Sequence, residues 1–156
     1  MSDKEFSMEE MYPLLCDVIG SGGEFRLYPR GTSMLPLIRQ GKDSVALVRP
    51  EVLSRRDICL YRRGNGQFVL HRLMRVEKDG TLSFCGDNQL VWERGVAKEA
   101  VIAKAAACYR GEKRRPVTSL RLRLYTFFHC QMWLRWLRFL PRRVWGKLKS
   151  KGENKS

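Results

Sequence analysis

Between residues 24 and 110, turn-forming residues divide the chain into six short apolar runs. These runs cover Phe25–Tyr28, Ser44–Val48, Ile58–Tyr61, Phe68–Val76, Thr81–Cys85 and Ala100–Tyr109. Glycine combined with asparagine or aspartate separates neighbouring runs at Arg63–Gly66 and Lys78–Gly80, and these residues accept the backbone angles of tight hairpins. Most of the runs have no helix between them. The pattern predicts a mainly β fold with an antiparallel sheet, open or coiled into a barrel.

A helix is expected before the first of these runs. Ser7 and Glu10 fit a capping box, and an apolar stripe with helical spacing follows. The stripe consists of Met8, Met11, Leu14, Leu15, Val18 and Ile19. The spacing predicts a helix near residues 8–20, ended by Gly20–Gly23, in which Pro13 costs one hydrogen bond.

The charge of the chain is concentrated at its C-terminal end. The formal net charge is +14, and residues 110–156 hold 14 Lys/Arg against 2 Asp/Glu, a net +12. Composition changes at the polar break Gly111–Pro116, which suggests three parts: an N-terminal helix at 1–23, a β-domain at 24–110 and a basic segment at 111–156. An anionic lipid surface or a nucleic acid is the physical partner for such a segment.

The basic segment is expected to form an amphipathic C-terminal helix over residues 120–140. Its longest charge-free run, Leu124–Leu134, has 11 residues, whereas crossing a bilayer takes about 20. A helix lying at the surface of an anionic membrane is therefore favoured. The expected membrane contacts are Trp133, Arg135, Trp136, Arg138 and Trp145. A helix docked on its own β-domain is the alternative, and nucleic acid is less favoured because no helix-turn-helix or zinc pattern is present.

The cysteines and the N-terminus indicate the compartment. Cys16, Cys59, Cys85, Cys108 and Cys130 contain no C-x-x-C pair and fall mainly in apolar runs, so buried thiols are expected rather than a disulfide framework or a metal site. The first seven residues are polar and lack the apolar core of a signal peptide. A cytoplasmic protein, peripheral at the membrane, is the resulting expectation.

Ser33 is the candidate nucleophile. Gly31 accepts backbone angles that other residues resist, and Pro36 favours an extended conformation before it, so the chain should change direction around Ser33. A serine hydroxyl becomes a nucleophile when a base lies within hydrogen-bond reach, about 2.6 to 3.2 Å.

The chain has two histidines that could act as this base. His71 lies in the fourth apolar run, whereas His129 lies in the basic segment and belongs to no motif. Neutral imidazole, with an unperturbed pKa of about 6.5, can accept a serine proton near neutral pH. His71 is therefore the candidate base for Ser33.

Four short motifs in register resemble the S24/S26 serine peptidases, the clan of signal peptidases and LexA-like self-cleaving proteins. They are Gly31–Pro36, Arg56–Tyr61, Leu70–Leu73 and Cys85–Asn88. The resemblance covers roughly residues 24–106 and implies the β-fold of these peptidases, with Ser33 as nucleophile. Bacterial signal peptidases carry lysine where this chain has His71, so the chain is similar to the histidine-bearing archaeal and endoplasmic-reticulum branch.

Two aspartates fall within these motifs. Asp87 is the expected third member of a triad, orienting the imidazole as in other triads. Asp57 is expected to close a turn before a strand, outside the triad.

The oxyanion of the tetrahedral intermediate also needs hydrogen-bond donors. The backbone N–H of Ser33 is the expected donor, and Thr32 is a candidate second donor, since Gly31 offers no side-chain hydroxyl. Met34 is expected to line the substrate cleft or the core beneath it.

These features predict a serine endopeptidase, similar to signal peptidase, that cleaves a precursor or leader peptide and needs no cofactor. Two alternatives remain. One is a non-catalytic peptide- or membrane-binding module on a peptidase fold. The other is a self-cleaving regulator, which is less favoured because only about 24 residues precede the β-domain.

Overall fold

A computed structural model describes residues 7–129 of the chain, and it has a mainly β architecture. Within these residues, eight strands form one sheet in which every pairing is antiparallel, with a helix before it and a helix after it. The prediction of a mainly β, antiparallel fold is confirmed. The elements are α1 Met8–Gly20, β1 Phe25–Leu27, β2 Asp43–Val48, β3 Ile58–Arg62, β4 Phe68–Val76, β5 Leu82–Cys85, β6 Glu93–Val96, a short 3₁₀ helix Lys98–Ala100, β7 Val101–Arg110, β8 Lys113–Pro116 and α2 Leu120–His129.

The long strand β7 organises the sheet. The strand order is β1-β2-β7-β3-β4-β5-β6, and β8 also pairs with β7. One edge of β7 pairs with β2, while the other edge pairs first with β3 and then with β8. Strands from both ends of the described chain are thereby joined in one sheet.

The six predicted runs correspond to β1–β5 and β7, but two strands were not predicted. β6 and β8 contain the residues ERGV and KRRP, so neither has the alternation of apolar and polar residues that indicates a strand. β8 lies inside the predicted polar break. It forms a strand because Gly111 adopts a φ of +58° and turns the chain back onto β7. The sheet therefore continues to Pro116.

The predicted N-terminal helix is confirmed at Met8–Gly20. The Ser7 hydroxyl oxygen accepts a hydrogen bond from the Glu10 backbone N–H at 3.2 Å, and the Glu10 carboxylate accepts one from the Ser7 N–H at 2.7 Å. Both halves of the capping box are thus present. Leu15 and Ile19 are buried against the sheet and fix the helix to it.

Two apolar clusters lie on opposite faces of β4, since alternate strand residues point to opposite sides. Leu70 belongs to the larger cluster, which includes Leu15 of α1. Val69 and Leu73 belong to the second cluster, which surrounds Tyr61 and Phe84. The buried-thiol prediction is confirmed for three cysteines, Cys59, Cys85 and Cys108, while Cys16 is partly buried and Cys130 lies outside the described residues.

Helix α2 is docked on the β-domain by one face. Leu122 and Thr126 are buried, and the Ser119 hydroxyl oxygen accepts a hydrogen bond from the Leu122 N–H. The five expected membrane contacts, Trp133, Arg135, Trp136, Arg138 and Trp145, lie outside the described residues. Within residues 7–129, no helix has the length and apolar character needed to cross a lipid bilayer.

Candidate active site

Ser33 and His71 line one pocket of about 250 Å³. One wall comes from residues 29–34 and the other from the β4 segment 68–71. β5 pairs with β4 only from Arg72 onward, so 68–71 has no strand partner on that side within the described chain. The pocket therefore lies along an open strand edge, where an extended peptide could pair.

The loop that carries Ser33 consists of tight turns and is held in place by a hydrogen bond at Gly31 and by side chains buried in the core. Gly31 adopts a φ of +87°, which L-residues with a side chain rarely accept, and its N–H donates to Gln40 Oε1 at 2.8 Å. Met34 and Ile38 are buried in the larger core cluster. Ser33 is left partly exposed where the chain changes direction, as expected from Gly31. Met34 lines both the pocket and the core.

The turn after β5 packs directly on the backbone of Ser33. The Asn88 N–H donates to the Ser33 carbonyl oxygen at 2.7 Å. A Cβ atom placed on Gly86 would lie 2.7 Å from the same oxygen, closer than real Cβ contacts allow. Glycine at 86 and the N–H of residue 88 therefore position the candidate nucleophile, which gives the Cys85–Asn88 motif a structural reason.

The Ser33 hydroxyl and the His71 ring share the pocket without a hydrogen bond between them. Catalytic hydrogen bonds of this kind are often long in free enzymes and shorten when substrate binds. The Ser33 backbone N–H has no acceptor among the described residues, so it can donate to an oxyanion. Thr32 is exposed beside it, and the structure places no hydrogen bond on its hydroxyl within the described chain.

His71 is held by a chain of hydrogen bonds, buried at Tyr61 and half-buried at Glu93, that the sequence did not reveal. Its Nδ1 lies 3.3 Å from the Tyr61 hydroxyl, which donates its proton to Glu93 Oε2 at 2.7 Å. Glu93 is in turn paired with Arg63. Because the single hydroxyl proton of Tyr61 goes to Glu93, the Tyr61 oxygen accepts from Nδ1–H of His71. The lone pair of the imidazole is then on Nε2, where a base needs it.

Burial keeps the imidazole neutral. His71 is 5 % exposed, and this burial lowers its pKa to about 4, against an opposing attraction from Glu93. The hydrogen bond from Arg63 lowers the pKa of Glu93, so this carboxylate stays ionised. Burial, followed by the bond to Glu93, raises the pKa of Tyr61. A neutral histidine therefore faces the pocket at neutral pH.

The structure brings Asp87 to Arg72 rather than behind His71. Both carboxylate oxygens of Asp87 accept hydrogen bonds from the Arg72 guanidinium at 2.7 Å, and both side chains are buried. His71 and Arg72 are neighbours on β4, so their side chains leave the strand on opposite sides. Asp87 therefore does not take the place of the triad aspartate that was expected. The Nδ1 atom of His71 contacts the Tyr61 hydroxyl instead.

Asp57 closes a turn, as expected. Its Oδ2 accepts a hydrogen bond from the Ser54 N–H at 2.9 Å, and its backbone oxygen accepts from the Leu73 N–H. These contacts join the turn before β3 to β4 and confirm a structural role for Asp57. The side chain of His129 lies outside the described part of the chain.

The chain has no match among protein-family models, and no curated protein is significantly similar to it. The geometry of the pocket and the four short motifs are therefore the grounds for assigning a function.

Tyr61 and Glu93 could not be assigned from the sequence. Tyr61 ends the second motif, but a tyrosine in an apolar strand is an ordinary core residue. Glu93 lies 32 residues further along the chain, in a strand with no recognisable pattern. A buried hydroxyl needs a partner, and only the fold identifies which one.

Proposed function

We propose that the chain is a serine endopeptidase of the S24/S26 type, acting on a precursor or leader peptide. The observation that carries the proposal is the convergence of Ser33 and His71 on one pocket at the open edge of β4. Two further features support it: the neutral, Nδ1-protonated imidazole and the unoccupied Ser33 N–H. The S24/S26 identity of the fold is part of the proposal.

In the proposed mechanism, the substrate lies extended along residues 68–71 as an added strand. Ser33 Oγ attacks the scissile carbonyl while Nε2 of His71 takes its proton, and the Ser33 N–H stabilises the oxyanion. The imidazolium then gives the proton to the leaving amine. Water hydrolyses the acyl-enzyme with His71 again acting as base. Tyr61 and Glu93 hold the ring in the required orientation and tautomer.

The cleft extends on both sides of the catalytic pair. A cavity of about 310 Å³ between α1 and β4 shares Pro29, Arg30, Phe68 and Leu70 with the central pocket. Another of about 440 Å³ shares Arg63, His71 and Gln89 and reaches Trp92. The central cavity shares lining residues with each of the other two, which supports an extended peptide as the substrate.

We also propose a peripheral association with an anionic membrane from the cytoplasmic side. The support is the net charge of +12 on residues 110–156 and the three tryptophans Trp133, Trp136 and Trp145 in that segment.

The peptidase proposal is tested by incubating the full chain with a mixture of extended peptides and reading the products by mass spectrometry. Wild type is expected to cleave a subset of peptides, and Ser33→Ala and His71→Ala are expected to cleave none. Ser54→Ala, which removes an exposed hydroxyl away from the pocket, is the matched control and should retain activity. Equal product formation by wild type and Ser33→Ala would refute the proposal.

A non-catalytic peptide-binding module is the second candidate, and the missing hydrogen bond between Ser33 and His71 favours it. Such a module would bind peptides equally well as wild type and as Ser33→Ala, and neither protein would release products. The third possibility, a self-cleaving regulator, predicts that the mass of the purified wild-type chain falls with time while that of Ser33→Ala stays constant.

A further inference from the structure

A second cleft, of about 300 Å³, lies between α2 and the turn that leads into β3. Three arginines line it from both walls: Arg55 and Arg56 from the turn, and Arg123 from α2. It is separate from the pocket of Ser33 and His71, and none of the proposed catalytic chemistry uses it.

Two other charged residues line this cleft, and both have protein partners. Arg72 is bound by the carboxylate of Asp87. Asp57 accepts the Ser54 N–H through Oδ2 and is the only acidic residue among the described side chains that line the cleft. Three arginines against one aspartate leave the cleft positively charged.

The backbone at Arg56 is held in a conformation that is costly for arginine. Its φ is +83°, in the left-handed region that residues with a side chain rarely adopt, because the Cβ atom crowds the backbone there. The Arg56 N–H donates to the Leu73 carbonyl at 2.7 Å, and the Arg56 carbonyl accepts from Arg72 at 2.8 Å. The fold therefore imposes this conformation and directs the arginine side chain into the cleft.

The guanidinium of Arg56 has a buried hydrogen-bond donor that lacks an acceptor within the described residues. Its Nε is buried and has no acceptor in the described part of the chain, while its Cζ lies 5.3 Å from the centre of the Phe127 ring. A buried donor without an acceptor destabilises the folded state, because it has lost its hydrogen bond to water. Because Nε itself is buried, an anion in the cleft would pair with the outer nitrogens of the guanidinium, whose planar fork matches the oxygens of a phosphate group.

The surface beside the cleft is apolar. Four α2 side chains with helical spacing form an exposed stripe on the face opposite Leu122 and Thr126. They are Leu120, Leu124, Phe127 and Phe128, which are 46 to 72 % exposed. A soluble phosphate would leave the stripe exposed to water, whereas a phospholipid supplies both a phosphate and an apolar phase that buries the stripe.

We propose that this cleft binds the phosphate of an anionic phospholipid headgroup while the apolar stripe of α2 enters the lipid surface. The continuing sequence agrees in sign, since residues 130–156 hold 8 Lys/Arg against 1 Asp/Glu. The proposal rests on the peripheral membrane association proposed above and is independent of the peptidase chemistry.

The test uses the full chain and variants at Arg56 in co-sedimentation with vesicles of phosphatidylcholine alone or mixed with phosphatidylglycerol. Arg56→Gly removes the guanidinium and also relieves the backbone strain, so its melting temperature should equal or exceed that of wild type. Its affinity for phosphatidylglycerol vesicles should fall at least tenfold. Lys78→Gln, which removes one charge at the exposed tip of the β4–β5 hairpin, is the matched control and should bind as wild type does.

Each result has a separate meaning. A wild-type chain that does not bind phosphatidylglycerol vesicles overturns both the membrane association and the site. Vesicle binding that Arg56→Gly leaves unchanged overturns the lipid-phosphate site and leaves the membrane association standing. If wild type but not Arg56→Gly then binds inorganic phosphate, the cleft takes a soluble phosphate and the lipid is overturned as its source. A tenfold loss confined to Arg56→Gly supports the proposal.

Discussion

At position 86, the absence of a side chain allows two loops to touch. The turn after β5 lies against the Ser33 carbonyl, and the hydrogen bond from Asn88 holds it there. The candidate nucleophile is thus positioned through its backbone, from a turn more than fifty residues further along the chain.

We predict that Gly86→Ala displaces the Ser33 loop. The added Cβ would meet the Ser33 oxygen at 2.7 Å and Gln89 Oε1 at 2.9 Å, and the backbone oxygen can only move with its loop. Overpacking of this kind typically costs about 1 to 3 kcal/mol. Urea denaturation should show this loss, and peptide cleavage should fall more than the loss of folded protein explains. Gly64→Ala, where an added Cβ meets no atom within 4 Å, is the control; an active, fully stable Gly86→Ala would contradict the prediction.

The hydroxyl of Tyr61 fixes the tautomer of His71 without touching the substrate pocket. Its ring is stacked on Phe84 with centroids 4.4 Å apart, so the position of the hydroxyl is set by packing. A carboxylate reaches the imidazole through this hydroxyl, where a triad would place the carboxylate directly.

We predict that Tyr61→Phe lowers kcat by about 5- to 150-fold, the kinetic equivalent of about 1 to 3 kcal/mol for a buried donor left without its acceptor. KM should change little, since Tyr61 lies outside the residues that line the pocket. Steady-state kinetics on a cleaved peptide measures both constants, with Tyr109→Phe as a control for loss of a tyrosine hydroxyl elsewhere. A Tyr61→Phe enzyme with unchanged kcat would mean that packing alone orients His71.

At the level of elements, the Arg72–Asp87 pair joins three parts of the fold. Arg72 belongs to β4 and Asp87 to the turn after β5, while the Tyr125 hydroxyl and the Thr126 hydroxyl of α2 contact the same pair. The pair therefore joins the turn that supports Ser33 to the middle of α2.

We predict that Asp87→Asn destabilises the fold by about 3 to 5 kcal/mol, because it leaves the Arg72 charge buried without its counter-charge. The double variant Arg72→Met/Asp87→Leu should recover most of this loss, since apolar residues of similar size can replace a buried pair. Denaturant titration of the single and double variants measures the difference. A triad aspartate would behave otherwise: Asp87→Asn would abolish cleavage and leave stability unchanged.

Elements with a repeating apolar pattern could be predicted from the sequence, and elements held by pairing alone could not. The capping box and stripe located α1, and an apolar run between two turn signals located β4 to the residue. β8 is a strand only because Gly111 turns it back onto β7, and KRRP by itself resembles a loop. The same holds for the site: Ser33 stands out beside Gly31, but the partner of His71 is set by the tertiary register of β3 and β6.

For the whole molecule, the folding of the β-domain buries a titratable group, the imidazole of His71, beside the open edge of β4. His71 is faced by Tyr61 from β3, by Glu93 from β6, and by the nearby charges of Arg63 and Asp87. Its environment therefore depends on most of the sheet, and its protonation reports on whether the sheet is intact.

We predict that stability falls as the pH drops from about 6.5 to about 4. Burial lowers the folded pKa of His71 to about 4, while the unfolded chain titrates near its ordinary value of about 6.5. Between these pH values the unfolded state binds a proton at His71 and the folded state does not. Acid therefore lowers the free energy of unfolding by up to about 3 kcal/mol. Above pH 6.5 both states are neutral and the effect vanishes.

The variant His71→Gln removes the protonation of residue 71. Any loss of stability in acid that remains in this variant comes from protonation of the carboxylates. Hydrogen bonds from Arg39 and Arg63 lower the folded pKa values of Asp43 and Glu93, so their contributions are lost only below about pH 4. Urea midpoints of the variant should therefore stay level from pH 7 to about pH 4.5 and fall below it, while those of wild type decline throughout. Parallel curves for the two proteins would mean that His71 is accessible to protons in the folded state.

The pH dependence of peptide cleavage follows from the same burial. A general base with the ordinary histidine pKa of about 6.5 would be protonated, and the enzyme would lose activity, below pH 6.5. The buried imidazole should instead keep its lone pair, and the enzyme its peptide cleavage, down to about pH 4.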